Sequence, residues 1–496
     1  MQSAKSLYNK AMVYRPHDHS FDWKGFTFFL KFLGVCTLVG VGSYYGLLYA
    51  EFPNAPVPPM LAPLKSSHLA LANISTSTAK RIINRLTIED AIPHTGKLVA
   101  ADLVSMKLLL FEDGRQLAEY PILSKGRTGS AWETPSGMYA VQTKEETHFS
   151  SIGRVYMPYS MQFYGNYFMH GWTYYPDGTP TSSTFSGGCI KLSTEDAKKV
   201  FEFVDIGTKV FVYDAKGGPP PQPLAVDALS VPSIHAEAYL VADIDTGDVY
   251  AEKNAQSVRP IASVTKLMTA LVANETISFD KKVSVTEGSL FNPPDPSKIE
   301  KKTFLAEELV YPLLMQSSNG VADSLASYYG RSGFVTWMNT TARALGMSDT
   351  TYADASGASA GNLSTADDLF RLAMYLTNKK SFVLNVTHLP QKIITAEDGT
   401  TYKIANVNTP VQNEPFAGGK AGHTLAAKDT MLSVVSFNVG EEKRRVAVIV
   451  LGSENQIKDT SALAEWLTNT APASAKGAGA ACVGCTDGPE YRKIEI

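Results

Sequence analysis

The sequence predicts a multidomain chain: an N-terminal transmembrane helix, a mainly-β domain, and an α+β domain with helices packed on an antiparallel sheet. Three observations carry this. The 496 residues exceed one ordinary domain, and 44% hydrophobic with 19% charged residues suits sizeable cores rather than disorder. An uncharged run of membrane length lies near the N-terminus, from Phe32 to Ala50. Beyond it, strand-patterned sequence continues to Tyr213, a Gly/Pro stretch follows, and then strands, helices, strands and a helix succeed one another.

The apolar run is long enough, at about 1.5 Å per helical residue, to cross a hydrocarbon core of about 30 Å. Lys5, Lys10, Arg15, Lys24 and Lys31 precede it, whereas the first Lys after it is Lys65. The positive-inside bias puts the N-terminus in the cytoplasm and the rest outside, at the cell membrane. The competing reading is a cleaved signal peptide. The run is long for one, and no clear small-x-small site follows. Phe52 to Pro63 is Pro-rich and predicts an extended spacer, with part of Lys65 to Thr95 as a short helix.

Lys97 to Leu103 and Lys107 to Phe111 read as a hairpin-like strand pair, followed by the turn Glu112-Asp113-Gly114. A helix over Thr194 to Val204 is announced by Ser193/Thr194 and acidic residues in its first turn. Val210 to Tyr213 is the last strand before Gly217-Gly218-Pro219-Pro220-Pro221-Gln222-Pro223, a linker by composition. Ala238 to Asp243 and Asp248 to Glu252 flank the turn Asp245-Thr246-Gly247. Helical patterns dominate from there to about Asn378. Strands return at Met431 to Asn438 and Arg445 to Leu451, and a helix covers Asp459 to Asn469. The expected parts are a cytoplasmic tail (1–31), anchor (32–50), stalk (51–95), first domain (96–214), linker (215–233), second domain (234–470) and flexible tail (471–496).

With a formal charge of −3, nothing points to nucleic acid as a partner. Of four cysteines, Cys36 lies in the membrane run. Cys482 and Cys485 form a lone C-x-x-C in a Gly/Ala-rich tail, half a zinc site at best and otherwise a local disulfide or decoration. His17-Asp18-His19 reads as a solvated tail.

The fourth cysteine sits in Ser186-Gly187-Gly188-Cys189-Ile190-Lys191, with His170-Gly171 upstream. A nucleophilic cysteine needs a base and oxyanion donors. Gly187 and Gly188 permit a tight turn with unobstructed amides at Cys189, and His170 can accept the thiol proton. Ser186 either shapes the site by hydrogen bonding or serves the turn. This pattern, with Asp102-Leu103, Thr134 to Tyr139 and Met169-His170-Gly171, resembles the L,D-transpeptidase catalytic domain over Lys97 to Tyr213. The resemblance implies that Cys189 attacks the L-centre to D-centre bond of a tetrapeptide stem and releases D-alanine. The acyl group then passes to an amine on another stem. Lys191 stands where that family usually has Arg, keeping charge but losing a planar fork.

A second nucleophile pattern is Ser263-Val264-Thr265-Lys266, with the hydroxyl and amine one helical turn apart. The apolar residues after it predict a buried helix, and burial lowers the Lys266 pKa toward that of a base. Ser317-Ser318-Asn319 and Lys420-Ala421-Gly422 follow in the order of penicillin-binding serine enzymes. The region Ile234 to Asn469 resembles the low-molecular-mass D,D-carboxypeptidases, which implies a penicillin-binding/serine β-lactamase-like fold. By this resemblance Ser263 is acylated, Lys266 is its base, Ser317 relays a proton and Asn319 holds the substrate amide. Lys420 supplies positive charge near the serines and the substrate carboxylate, Gly422 of the same motif is a substrate-binding candidate, and Thr424 is a candidate to substitute in part for the hydroxyl missing at Ala421. Ala421 departs from the family's Thr or Ser, which leaves three outcomes: weak activity, endopeptidase preference, or binding without turnover.

Together the motifs predict a bifunctional enzyme acting on peptidoglycan stem peptides, with β-lactams as covalent inhibitors and no metal or organic cofactor. The Gly/Pro linker predicts proximity of the two sites rather than a sealed channel.

Overall fold

The structure is a computed structural model that describes residues 81–83, 86–181, 186–214, 223–224, 226, 230–408 and 415–470. The membrane run 32–50, His17 to His19, Cys36, the Gly/Pro linker 215–222 and the tail with Cys482 and Cys485 lie outside these residues. Among the described residues no helix is long and apolar enough to cross a membrane.

The first domain is built on two sheets. One runs in the order Arg115–Pro121, Lys107–Glu112, Lys97–Asp102, Lys209–Tyr213, Gly137–Ala140. The expected antiparallel pair is present, with Leu98 opposite Phe111. Lys97–Asp102 is buried on both faces because it is central, and Lys209–Tyr213 joins it in parallel. The second sheet runs Thr143–Ser150, Val155–Tyr164, Tyr167–His170, Ile190–Lys191. Val99, Leu110, Phe163, Met169, Ile190 and Val210 fill the core, closed by Ala197 and Val200 of the helix Thr194–Phe203. That helix starts as predicted, with Ser193 Oγ accepting from Asp196 N at 3.0 Å.

The second domain has a six-stranded sheet in the order Arg81–Ile82, Asp248–Lys253, Ala238–Asp243, Glu442–Ser453, Lys428–Val439, Phe416–Thr424. Alternation divides its side chains cleanly. Leu240, Ala242, Leu432, Val434, Ala447 and Ile449 face the helices. Val241, Met431, Val435, Val446, Val448 and Val450 face the C-terminal helix Gln456–Thr470 through Leu463, Trp466 and Leu467. Helices thus pack on an antiparallel sheet, as expected. At their centre lies the helix Thr265–Thr276, every residue of which is buried.

The second domain departs from the expected element order in several places. Two hairpins, Lys282–Thr286 with Lys301–Leu305 and Gln391–Thr395 with Thr401–Ala405, interrupt or follow the helical stretch. The strand Phe416–Thr424 carries three glycines and a lysine, a composition with little β preference, and pairing with Lys428–Val439 makes it a strand. Within the segment read as a stalk, Arg81–Ile82 pairs with Asp248 and Val249 at the sheet edge. Arg81 also pairs with Glu252 at 2.6 Å and Asp367 at 2.5 Å.

Both domains belong to one compact unit, Ser75–Ile496. Loose tethering through a linker does not describe their contact. Ala344 of the second domain is part of the first domain's core, and Trp337 packs against it, edge-on to Tyr164 at 5.3 Å.

Candidate active sites

The second domain turns sharply before its serine. Ala262 has φ +47° and leads through a 3-10 turn, Ala262–Val264, into the helix Thr265–Thr276. A non-glycine residue in this region is uncommon, and here it swings Ser263 to the helix start, half-buried. Lys266 is fully buried, and its Nζ donates to Ser263 Oγ at 2.9 Å, Asn319 Oδ1 at 2.7 Å and Ser356 O at 2.5 Å. Burial brings the Lys266 pKa down to about 7, against the opposing pull of Asp354. The amine therefore touches the serine oxygen while holding a basic form near neutral pH.

The remaining predicted residues come from distant segments, and of these Asn319 bonds Lys266 while Gly422 packs against Ser263. Ser317 also has a positive φ, +56°, and stands two residues before Asn319, the first residue of the helix Asn319–Tyr329. Ser318 caps that helix through Val321 N at 3.0 Å. Lys420 is buried and donates to Asn408 Oδ1 and Ala421 O, both at 2.8 Å. Burial, and then the neighbouring Lys266 charge, push its pKa well below the ordinary lysine range. Gly422 lies where a Cβ would come 2.7 Å from Ser263 N and 2.6 Å from Thr430 Oγ1. The motif glycine therefore lets this edge strand approach the Ser263 backbone. Ala421 points the other way, its methyl packed against the cluster beneath the C-terminal helix. Thr424 Oγ1 accepts from Ala427 N at 3.1 Å, in the turn that ends the strand.

Two contributors escaped sequence reasoning. Asp354 accepts from Ser356 N and Gly357 N at 2.7 Å each and so presents Ser356 O to Lys266. Gly357, at φ +82°, packs so closely that a Cβ would lie 2.0 Å from Ala262 O. The only signal was the turn-rich run Asp354-Ala355-Ser356-Gly357. Asn408, which receives Lys420, had none.

In the first domain, the parallel register Met169 with Ile190 and His170 with Lys191 sets His170 on the strand beside the one that begins just after Cys189. His170 is buried, and its Nδ1 donates to Gly171 O at 2.7 Å, leaving Nε2 as the acceptor. Burial lowers the His170 pKa to about 4 and raises the Cys189 thiol to about 11. At rest the two groups are thus neutral. Cys189 Sγ donates weakly to Asn166 O at 3.7 Å.

The turn before Cys189 is held from several sides. Gly188 has φ +104°, and a Cβ there would fall 2.2 Å from the Tyr167 ring. Its carbonyl accepts from Thr134 Oγ1 at 2.9 Å, and the Ser186 hydroxyl donates to Cys189 O. Gly187 is exposed. Gly171 N donates to Pro158 O at 2.8 Å, and a Cβ on Gly171 would meet Thr194 Cα at 3.0 Å. Lys191 is buried with its ammonium 5.0 Å from the Trp172 ring centre, and burial lowers its pKa. Among the described residues no three His, Cys, Asp or Glu side chains converge as a metal site.

Comparison with known proteins agrees with this division. The D-alanyl-D-alanine carboxypeptidase family matches residues 225–455, and the L,D-transpeptidase catalytic domain matches residues 96–212. A D-alanyl-D-alanine endopeptidase of Escherichia coli is 29% identical over 49% of this chain and 80% of its own length. The Haemophilus influenzae protein of the same name is 34% identical over 41% of this chain and 75% of its own. Among solved structures, penicillin-binding protein D2 of Listeria monocytogenes in its cefotaxime-bound form is 29% identical over 47% of this chain and 98% of its own, with a TM-score of 0.41. The chain therefore belongs to the D-alanyl-D-alanine carboxypeptidase family through its second domain and carries an L,D-transpeptidase catalytic domain as its first.

Proposed function

We propose that this chain is a bifunctional peptidoglycan enzyme, anchored by residues 32–50 with both catalytic domains outside the cytoplasm. The serine domain trims the terminal D-alanine from pentapeptide stems. The cysteine domain then uses the resulting tetrapeptide as acyl donor. The observation that carries the reading is the contact of a buried Lys266 amine with the Ser263 hydroxyl, in a chain that also sets His170 on the strand beside the one that follows Cys189.

At the serine site, neutral Lys266 takes the Ser263 proton as the oxygen attacks the penultimate carbonyl. Ser317 passes a proton to the leaving amine, D-alanine departs, and water releases the tetrapeptide. Asn319 and Lys420 hold the substrate amide and carboxylate. At the cysteine site, Nε2 of His170 takes the thiol proton as Cys189 forms a thioester, and returns it to the departing D-alanine. An acceptor amine then displaces the sulfur. Lys191 with Gly171 and the turn Ser186-Gly187-Gly188 position the donor stem.

The test supplies the purified ectodomain with a pentapeptide substrate and compares Ser263→Ala with Cys189→Ala. Each substitution is expected to stop crosslinking. Unchanged crosslinking by Ser263→Ala ends the sequential reading. A second reading, D,D-endopeptidase action at Ser263, is favoured by Ala421 and by the names of the related endopeptidases. Release of crosslinked dimer halves, rather than D-alanine, distinguishes it.

A further inference from the structure

A buried polar seam between the domains takes part in neither set of chemical steps. Glu275, near the end of the helix that begins beside Ser263, is 1% exposed. Its carboxylate accepts from Tyr164 Oη of the cysteine domain at 2.7 Å and from Tyr375 Oη at 2.9 Å, with Lys380 Nζ at 3.7 Å. Lys380 has no exposed side-chain surface. It donates across the seam to Ala131 O at 2.9 Å, Glu133 O at 3.2 Å and Tyr167 Oη at 3.4 Å. Lys379 adds an ion pair to Glu133 at 2.9 Å. The backbone N of Asn166 donates to Glu275 O at 3.4 Å, and its Nδ2 to Thr276 O at 3.1 Å.

The cysteine-domain residues held in this way are those that hold the nucleophile. Asn166 O is the acceptor for the Cys189 thiol. The Tyr167 ring covers Gly188 closely enough to exclude any side chain there. Thr134, next to Glu133, donates to Gly188 O. Lys380 and Glu275 are thus one residue or one contact removed from Gly188-Cys189 on both flanks. A buried ion pair gains little adhesion over packed apolar groups, because both ions lose water. What it adds here is direction: fixed donors aimed at two backbone carbonyls and a phenol.

We propose that Glu275 and Lys380 of the serine domain are positioning residues for Cys189, so that L,D-transfer requires the docked serine domain as part of its active-site wall. The proposal rests on the reading of Cys189 as nucleophile. The two are tested separately in the full chain.

Lys380→Met removes the three Lys380 donor bonds, and Glu275→Gln removes the carboxylate that Tyr164, Tyr375 and Lys380 meet. Three quantities are measured: L,D-transfer from a tetrapeptide donor, the pH profile of Cys189 alkylation by iodoacetamide, and Ser263 acylation by a fluorescent penicillin. Lys380→Met is expected to slow L,D-transfer by about ten- to a hundredfold, the scale of a small misplacement of a reacting group. The alkylation profile shifts in both variants, while Ser263 acylation is unchanged. An unchanged transfer rate and alkylation profile in folded Lys380→Met overturns the proposal. If that variant does not fold, an unchanged transfer rate and profile in Glu275→Gln does so. Persistence of L,D product in Cys189→Ala sinks the nucleophile reading instead, and the alkylation profiles still judge the positioning.

Discussion

The Lys266 amine offers the sharpest test of the serine mechanism. Its pKa falls from the ordinary 10.5 to about 7 because the side chain is buried. That difference corresponds to about 5 kcal/mol of preference for the neutral form. At about pH 7.5 roughly three quarters of Lys266 is neutral, against about one part in a thousand for an ordinary lysine. Acylation of Ser263 by a chromogenic penicillin, followed by stopped flow, should therefore fall about 25-fold from about pH 7.5 to about pH 5.5. The upper limb decides. Between about pH 7.5 and about pH 9.5 the expected gain is only about 1.3-fold, whereas an unperturbed lysine base would gain about 90-fold. The Asp354 charge raises the Lys266 pKa, so Asp354→Asn should move the break to lower pH. A rate that keeps climbing through pH 9, or one indifferent to pH across the range, refutes the reasoning.

Gly422→Ala would place a methyl 2.7 Å from Ser263 N; penicillin acylation should drop and urea denaturation should show a loss of about 1–3 kcal/mol. Alkylation of Cys189 should climb about tenfold per pH unit through pH 9, since a thiol at about 11 is scarcely ionised below that; a break below pH 8 would reveal a preformed ion pair with His170. Ala421→Thr should raise D-alanine release from pentapeptide by about five- to 150-fold if a carboxylate donor is what the site lacks, corresponding to about 1–3 kcal/mol. The methyl's packing on the opposite face makes an unchanged rate the informative alternative. Arg444→Met leaves the buried Asp243 without its ion-pair partner and should cost about 3–5 kcal/mol in denaturant unfolding.

Much of each site could be read from local spacing. Ser263 and Lys266 are three residues apart on a helix, so one turn brings the groups together wherever that helix packs. The Gly187-Gly188-Cys189 turn and the Ser193 cap are likewise short-range. The strand Phe416–Thr424 was not legible, because its glycines serve close approach to Ser263 and pairing rather than propensity. The Asp354 loop reads only as turns until the fold sets Ser356 O against Lys266.

Residue types at helical or turn spacing were thus enough to mark both family motifs and the kind of scaffold under each, because groups so close along the chain need only local geometry to meet. Tertiary structure decided what surrounds them. The burial that shifts Lys266, His170 and Cys189 comes from segments far along the chain. So does the seam, where Glu275 and Lys380, 105 positions apart, meet Tyr164, Asn166 and Tyr167. Those contacts turn two domains expected to be tethered into one unit, and only packing in three dimensions supplies them.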